Sequence, residues 1–401
     1  MPLVEIEPVL TEAERQLRDA AHKFAEEVMR PAGRALDVLP DPAQAIAPDC
    51  ILWQVFDRYR EMGFDDLEDA TADLPPVEHA RVRALVSEEL GWGDAGLAIS
   101  LGVAGFHRIF ARMSGRPSLI ERFCAPESKD IGCWAVTEPD HGSDTLAVSE
   151  PAFGDPKVRA NCTARRDGKT YVIRGQKSAW VSNGSIATVA TLFCTVDPSH
   201  GFRGGAICLV PLDLPGVSRG RPLDKLGQRA LNQGEIFFND VRVPEEYVVV
   251  GSEAYASAVE AVLALANASM GVIFVGLARA AVELALGYAH ERIQGGAPIF
   301  AHQSVKSRLF KIFMQVEAAR ALARRVFIYN TTQPPLVQYS IASKVFCTNT
   351  AFEAASGALQ IYGGNGLSRE YPIEKLLRDA RASMIEDGCN DLLSLVGASK
   401  L

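Results

Sequence analysis

The 401-residue chain has no lysine- or arginine-rich run, and its formal net charge is −8. That balance argues against the nucleic-acid-binding classes that depend on basic patches. There is no Cys-x-x-Cys pair and no Cys/His cluster; Cys50, Cys124, Cys133, Cys162, Cys194, Cys208, Cys347 and Cys389 stand singly. Neither zinc-ligand spacing nor a disulfide framework is indicated, so no metal is expected, and reduced thiols of a cytoplasmic protein are the simplest expectation. The opening stretch, "MPLVEIEPVLTEAERQ", lacks both a basic segment and an apolar core, so no signal or transit peptide is expected there. No G-x-G-x-x-G follows a strand pattern, which removes the dinucleotide fingerprint of doubly wound folds. Internal repeats and low-complexity segments are also missing.

Long hydrophobic runs are nearly absent. The exception is "AVLALANASMGVIFVGLA", residues 261–278, which carries no charge but has Asn267 and Ser269 in its middle. It is only just long enough to span a bilayer, and helical patterns continue on both sides. A helix buried among other helices, not a membrane span, is the expectation. With 48% hydrophobic and 22% charged residues, the composition is that of an ordinary globular chain, and its length suits two or three domains or one large enzyme subunit.

What is present divides into helix, strand and helix. Thr11-x-x-Glu14 forms a capping-box pattern, and Leu17, Ala21, Phe24 and Val28 follow at helical spacing up to Pro31. Further helical patterns cover residues 51–62, 77–91 and 117–124. From about residue 131 short β-rich runs take over. "ANCTARRDGKTYVIRG" reads as a hairpin turning at Asp167-Gly168, and "ATVATLFCTV", "GGAICLVPL" and "QGEIFFNDVRVP" follow, each bounded by turn residues. The helical period returns after Pro244, over 253–294, 302–330, 336–362 and 372–397. The predicted fold is an α+β multidomain chain: an N-terminal α-helical domain (1–130), a middle antiparallel β-barrel or sandwich domain (131–245) and a C-terminal four-helix bundle (246–401).

Three blocks carry chemistry. "CWAVTEPDHGSD" (133–144) concentrates hydroxyls and turn residues that would cradle a polar cofactor edge, though a capped loop has the same composition. "GQKSAWVSNG" (175–184) sets Trp180 two residues from Ser182, an apolar plate beside a hydroxyl that suits a flat ring or an ordinary core. "QIYGGNGLSREYPIEKLLRDAR" (360–381) leads through a double glycine, open to close backbone approach, toward the adjacent carboxylates Glu386 and Asp387.

In this order and spacing the blocks are far more specific than any one alone. The segments "TEPDHGSD", "GQKSAWVSNG", "ERIQGGAPIFAHQ", "QIYGGNG", "EYPIEKLLRDAR" and "IEDGCN" resemble the acyl-CoA dehydrogenase family over nearly the whole chain. The resemblance implies FAD held between the β domain and the C-terminal bundle, a homotetramer arranged as a dimer of dimers, an acyl-CoA or other acyl-thioester substrate, and an electron-transfer flavoprotein as acceptor. By position it assigns FAD contacts to Trp134, Val136, Thr137, Ser143, Trp180 and Ser182. It assigns Arg292, Gln303, Gln360, Gly363 and Gly364 to the FAD of a neighbouring subunit, and Ser143, Asn267 and Gly388 to substrate.

The implied reaction removes a proton alpha to a thioester carbonyl, which needs a carboxylate whose basicity rises in a dry site. The resemblance places that base at Asp387, with Glu386 as the alternative; the family more often has glutamate there. Aspartate has about 1.5 Å less reach. Ala266 and Asn267 stand where relatives carry, respectively, an alternative base and an arginine. An oxygen-using flavoenzyme of the nitroalkane oxidase type, or a non-catalytic flavin-binding subunit, are the rival readings.

Overall fold

The computed structural model describes residues 3–7 and 9–401. Helix α1 (Glu12–Phe24) opens on the anticipated capping box: Thr11 Oγ1 accepts from the Glu14 amide and Glu14 Oε2 from the Thr11 amide. The helix does not stop at Pro31. A π-turn at Ala25–Met29 intervenes, and α2 (Arg30–Asp37) starts with the proline in its first turn, where a missing N–H is tolerated. The N-terminal layer continues through α3 (Ile51–Glu61), α4 (Leu67–Ala70), α5 (Pro76–Gly93), α6 (Ala95–Ala104), α7 (Phe106–Met113) and α8 (Pro117–Phe123). Helices α6 and α7 were not legible in the sequence. Helix α6 is buried nearly all round, which removes the amphipathic period, and it begins at an Asp94 side chain that accepts from the Leu97 amide.

The middle layer is one eight-stranded sheet, ordered β6-β7-β3-β1-β4-β5-β8, with β2 off this path against β3 and β4. Its strands are β1 (Gly132–Ala135), β2 (Thr163–Asp167), β3 (Thr170–Ser182), β4 (Val189–Thr195), β5 (Gly205–Pro211), β6 (Val217–Arg219), β7 (Gln233–Pro244) and β8 (Val248–Val250). The predicted hairpin joins β2 to β3, with Gly168 left-handed at φ +63°. The sheet is not purely antiparallel, as expected from the hairpin signals, because β4 pairs in parallel with β1 and with β2. Sequence spacing identifies strands but not which distant strand each one meets.

Helix α9 (Ser252–Glu291) opens the C-terminal bundle. It is long and apolar enough to cross a membrane, yet 72% of its most apolar window is buried inside the molecule. A two-strand hairpin, β9 (Ile293–Gln294) and β10 (Ala297–Pro298), leads to α10 (Gln303–Thr332) and α11 (Val337–Tyr362). The predicted last helix, 372–397, is in fact two: α12 (Ile373–Ser383) and α13 (Asn390–Ala398). Between them Asp387 and Gly388 take left-handed conformations, at φ +52° and +92°, which no helix accommodates.

Candidate active site

Two features of β3 and its surroundings build one wall of a cavity of about 540 Å³. Between Lys177↔Ile236 and Val181↔Gly234, strand β3 spends more residues than β7, so Ser178–Trp180 bulge from the ladder. Bulges re-aim side chains, and here Trp180 is left 58% exposed, an unusual state for a large aromatic. The Ser178 amide donates to the Thr137 carbonyl at 2.8 Å, tying the loop after β1 to that bulge. Strand β1 meets β3 at a single pair, Trp134↔Ser182, which sets these two residues side by side although 48 positions separate them in sequence.

The loop is also anchored from beneath. Lys177 Nζ donates to the Val136 carbonyl at 2.9 Å and to Glu138 Oε1 at 2.7 Å. Glu138 in turn accepts from the amides of Asn161 and Cys162, and both charged side chains are buried. Beyond β3, Asn183 is held at φ +61° by Ser100, whose hydroxyl donates to its Oδ1 at 2.6 Å.

The opposite wall is the end of α12 and the turn that follows. Glu386, Asp387 and Gly388 line the cavity with Trp134, Val136, Thr137, Ser143, Trp180 and Ser182. The loop is locked to β1's side by the Cys389 amide, which donates to Ser143 Oγ at 3.0 Å. The two carboxylates differ in their surroundings. Gln228 Nε2 donates to Glu386 Oε1 at 2.6 Å, whereas the Asp387 carboxylate receives no hydrogen bond from any described residue. Both side chains keep a small accessible area, and both face the cavity. Burial pushes Asp387 up to about 6, with the Lys344 ammonium pulling the other way. Burial pushes Glu386 up to about 7, with the Asp387 charge adding to the rise and Gln228 opposing it. Asp387 is therefore the unencumbered member of the pair, with burial raising both carboxyls above the ordinary carboxylate range.

These raised values carry a stability cost of known sign. A carboxyl whose folded pKa lies above its unfolded one contributes stability below the unfolded value and loses it as pH rises through the folded value. For Asp387 the window runs from its ordinary 3.8 to about 6. Asp387→Asn is expected to melt above wild type at pH 8, by an amount equivalent to ~1–3 kcal/mol, and to match it near pH 4. Thermal melts of both proteins across pH 4–8 check this; a parallel pair of curves would rule it out.

Not all predicted residues gather here. Arg292, Gln303, Gln360, Gly363 and Gly364 are exposed and lie outside the cavity, at the end of the bundle where α9 and α11 finish and α10 begins. Tyr288 stacked on Tyr362, with centroids 4.0 Å apart, marks that end. Asn267 does not line the cavity either, contrary to the expected substrate contact. It is fully buried on the face of α9 turned to α11, where Ser340 Oγ donates to the Ala264 carbonyl. Its two amide atoms have no partner among the described residues.

Sequence reasoning missed the loop between β6 and β7. It brings Lys225, Gly227 and Gln228 to the cavity, joined by Gln233 at the start of β7. Gln228, at φ +49°, has its amide held by the Asp379 carboxylate; Lys225 Nζ donates to the Leu231 carbonyl and Gln233 Oε1. "KLGQRALNQG" has no period of either kind, so only its lysine and glycine in a strand-rich region could have marked it.

Comparison with known proteins identifies the family. Residues 133–241 match the family description "Acyl-CoA dehydrogenase, middle domain", and residues 256–401 match "Acyl-CoA dehydrogenase, C-terminal domain". Cyclohex-1-ene-1-carbonyl-CoA dehydrogenase of Syntrophus aciditrophicus is 31% identical over 82% of this chain and 78% of its own. The chain belongs to the acyl-CoA dehydrogenase family. It is an acyl-CoA dehydrogenase-type oxidoreductase, and FAD is its cofactor. The structure of butyryl-CoA dehydrogenase from Megasphaera elsdenii is similar at TM-score 0.84, with 25% identity over 98% of this chain and 99% of that one. A nitroalkane oxidase structure shares the fold alone, at TM-score 0.84 and 20% identity over 98% and 96% of the two chains.

Proposed function

We propose that this acyl-CoA dehydrogenase desaturates an acyl thioester between its α and β carbons, with Asp387 as the base. The observation that carries the reading is a carboxylate, free of hydrogen bonds from the described residues, lining the same cavity as an exposed tryptophan face. The flat, apolar Trp180 side of this cavity suits the flavin ring of FAD, which when bound would accept the hydride lost from the β carbon. Trp134, Val136, Thr137, Ser143, Trp180 and Ser182 hold it in this reading. Asp387 takes the α proton: a carboxyl raised to about 6 is ionised at neutral pH yet more basic than an exposed aspartate. A substrate seated in the cavity would exclude water from the carboxylate and raise that basicity further. Gly388 and Ser143 border the substrate's reacting end.

Arg292, Gln303, Gln360, Gly363 and Gly364, exposed at the bundle end, serve the cofactor of a neighbouring copy in a homotetramer. A guanidinium there suits a diphosphate. An electron-transfer flavoprotein accepts the electrons.

The test is anaerobic titration of the FAD-loaded protein with a panel of saturated acyl-CoA thioesters. Bleaching of the flavin absorbance by at least one is the expected result. No bleaching by any thioester, together with peroxide production from a nitroalkane in air, would replace the desaturase reading with the oxidase one.

A further inference from the structure

Lys344 is fully buried on α11, and the proposed chemistry makes no use of it. Its Nζ donates to the Gly388 carbonyl at 2.8 Å and to Asn390 Oδ1 at 2.8 Å. The same helix grips the segment twice more: Asn390 Nδ2 donates to Thr348 Oγ1 and to Asn349 Oδ1, each at 3.0 Å. The Asn390 amide closes the turn on the Met384 carbonyl at 3.0 Å. Held between these contacts is the left-handed pair Asp387–Gly388, a strained backbone that persists only where its surroundings enforce it.

Satisfying two neutral acceptors does not call for a charge. A buried ammonium bonded only to a carbonyl and an amide is costly unless an anion lies near, and neutral donors would serve the hydrogen bonds as well. The ionisable groups bearing on Lys344 are Asp387, Glu386 and Cys389, all on the turn it grips. From α9, Asn267 brings no charge to the same crossing, where a Cβ on neighbouring Gly271 would meet Ser343 Oγ at 2.4 Å. Lys225 faces Glu386 from the loop before β7.

We propose that Lys344 is a positioning residue for Asp387, fixing the turn that presents the carboxylate to the cavity and setting a buried ammonium on the carbonyl of the adjacent Gly388. The inference rests on the reading of Asp387 as the base. Burial draws Lys344 down to about 8 against the pull of Asp387 and Glu386, so both members of the pair are charged between about 6 and about 8.

Lys344→Met, Lys344→Gln and Lys344→Arg separate the charge from the hydrogen bonds in the FAD-loaded enzyme. Infrared pH-difference spectra report the protonated carboxyl of Asp387 without turnover, as the band that Asp387→Asn abolishes. Its midpoint is expected to rise by about one unit or more in Lys344→Met and Lys344→Gln and to return toward wild type in Lys344→Arg. The rising limb of the pH profile for anaerobic flavin reduction should move by the same interval, about a tenfold loss per unit below the midpoint. Lys344→Gln keeps a donor for the Gly388 carbonyl and is read alone if Lys344→Met does not fold. An unmoved band in Lys344→Gln overturns the inference, whatever happens to the rate. A moved band in a protein that no acyl thioester reduces supports the coupling and overturns the proposed reaction instead.

Discussion

Asp387→Asn is expected to keep FAD bound and to slow anaerobic flavin reduction by ~10²–10⁴-fold, the range a positioned general base contributes. The substitution is nearly isosteric and removes only the ability to take a proton, so the flavin absorbance spectrum should hold while its bleaching rate collapses. Asp387 carries this expectation rather than its neighbour because Glu386 is engaged by Gln228 at 2.6 Å, and burial raises it further, to about 7. Stopped-flow reduction of Asp387→Asn and Glu386→Gln decides between them. Wild-type reduction in the first with collapse in the second would transfer the role to Glu386. Asp387→Glu adds about 1.5 Å of reach while keeping the charge. Near-attack geometry is sensitive to displacements of that size, so this variant should fall between wild type and the asparagine form.

The largest stability effect is expected at Lys177, which touches no predicted ligand. Its ammonium is the cation facing Glu138, and removing one partner of a buried pair leaves an uncompensated charge at a cost of ~3–5 kcal/mol. Lys177→Met should therefore lower the thermal midpoint markedly. FAD should also be lost on gel filtration, because Lys177 holds the Val136 carbonyl beneath the cavity wall. The double variant Lys177→Met, Glu138→Leu should recover part of the stability, since no charge is then stranded, although the amides of Asn161 and Cys162 lose their acceptor. A single variant that melts with wild type and retains FAD would show the pair to be dispensable.

The strain in this chain concentrates where the chemistry is proposed. Among the described residues, left-handed non-glycine positions are Val9, Asn183, Gln228, Asp240 and Asp387. Gln228 and Asp387 line the cavity, and Asn183 directly follows the cavity residue Ser182. Each is held by buried or cavity-side contacts: Asn183 by Ser100, Gln228 by Asp379, and the turn carrying Asp387 by Lys344 and Ser143. Such positions are costly and survive because packing over-determines them.

The sequence by itself determined what depends on local periodicity and chemistry. It placed the long helices α9, α10 and α11, the β2–β3 hairpin and the Thr11 cap, while the aromatic, hydroxyl and carboxylate residues of the cavity were marked by their resemblance to family segments. Those signals survive in one dimension because they repeat within a few residues or sit at fixed offsets. Only the tertiary structure decided which carboxylate stands free, because that depends on Gln228 arriving from a loop with no period of its own. It also decided that α12 and α13 are separate helices, that β4 pairs in parallel with β1, and that Asn267 is sealed against α11. Those outcomes come from contacts between residues dozens to hundreds of positions apart, where burial and desolvation, not local propensity, set the energy.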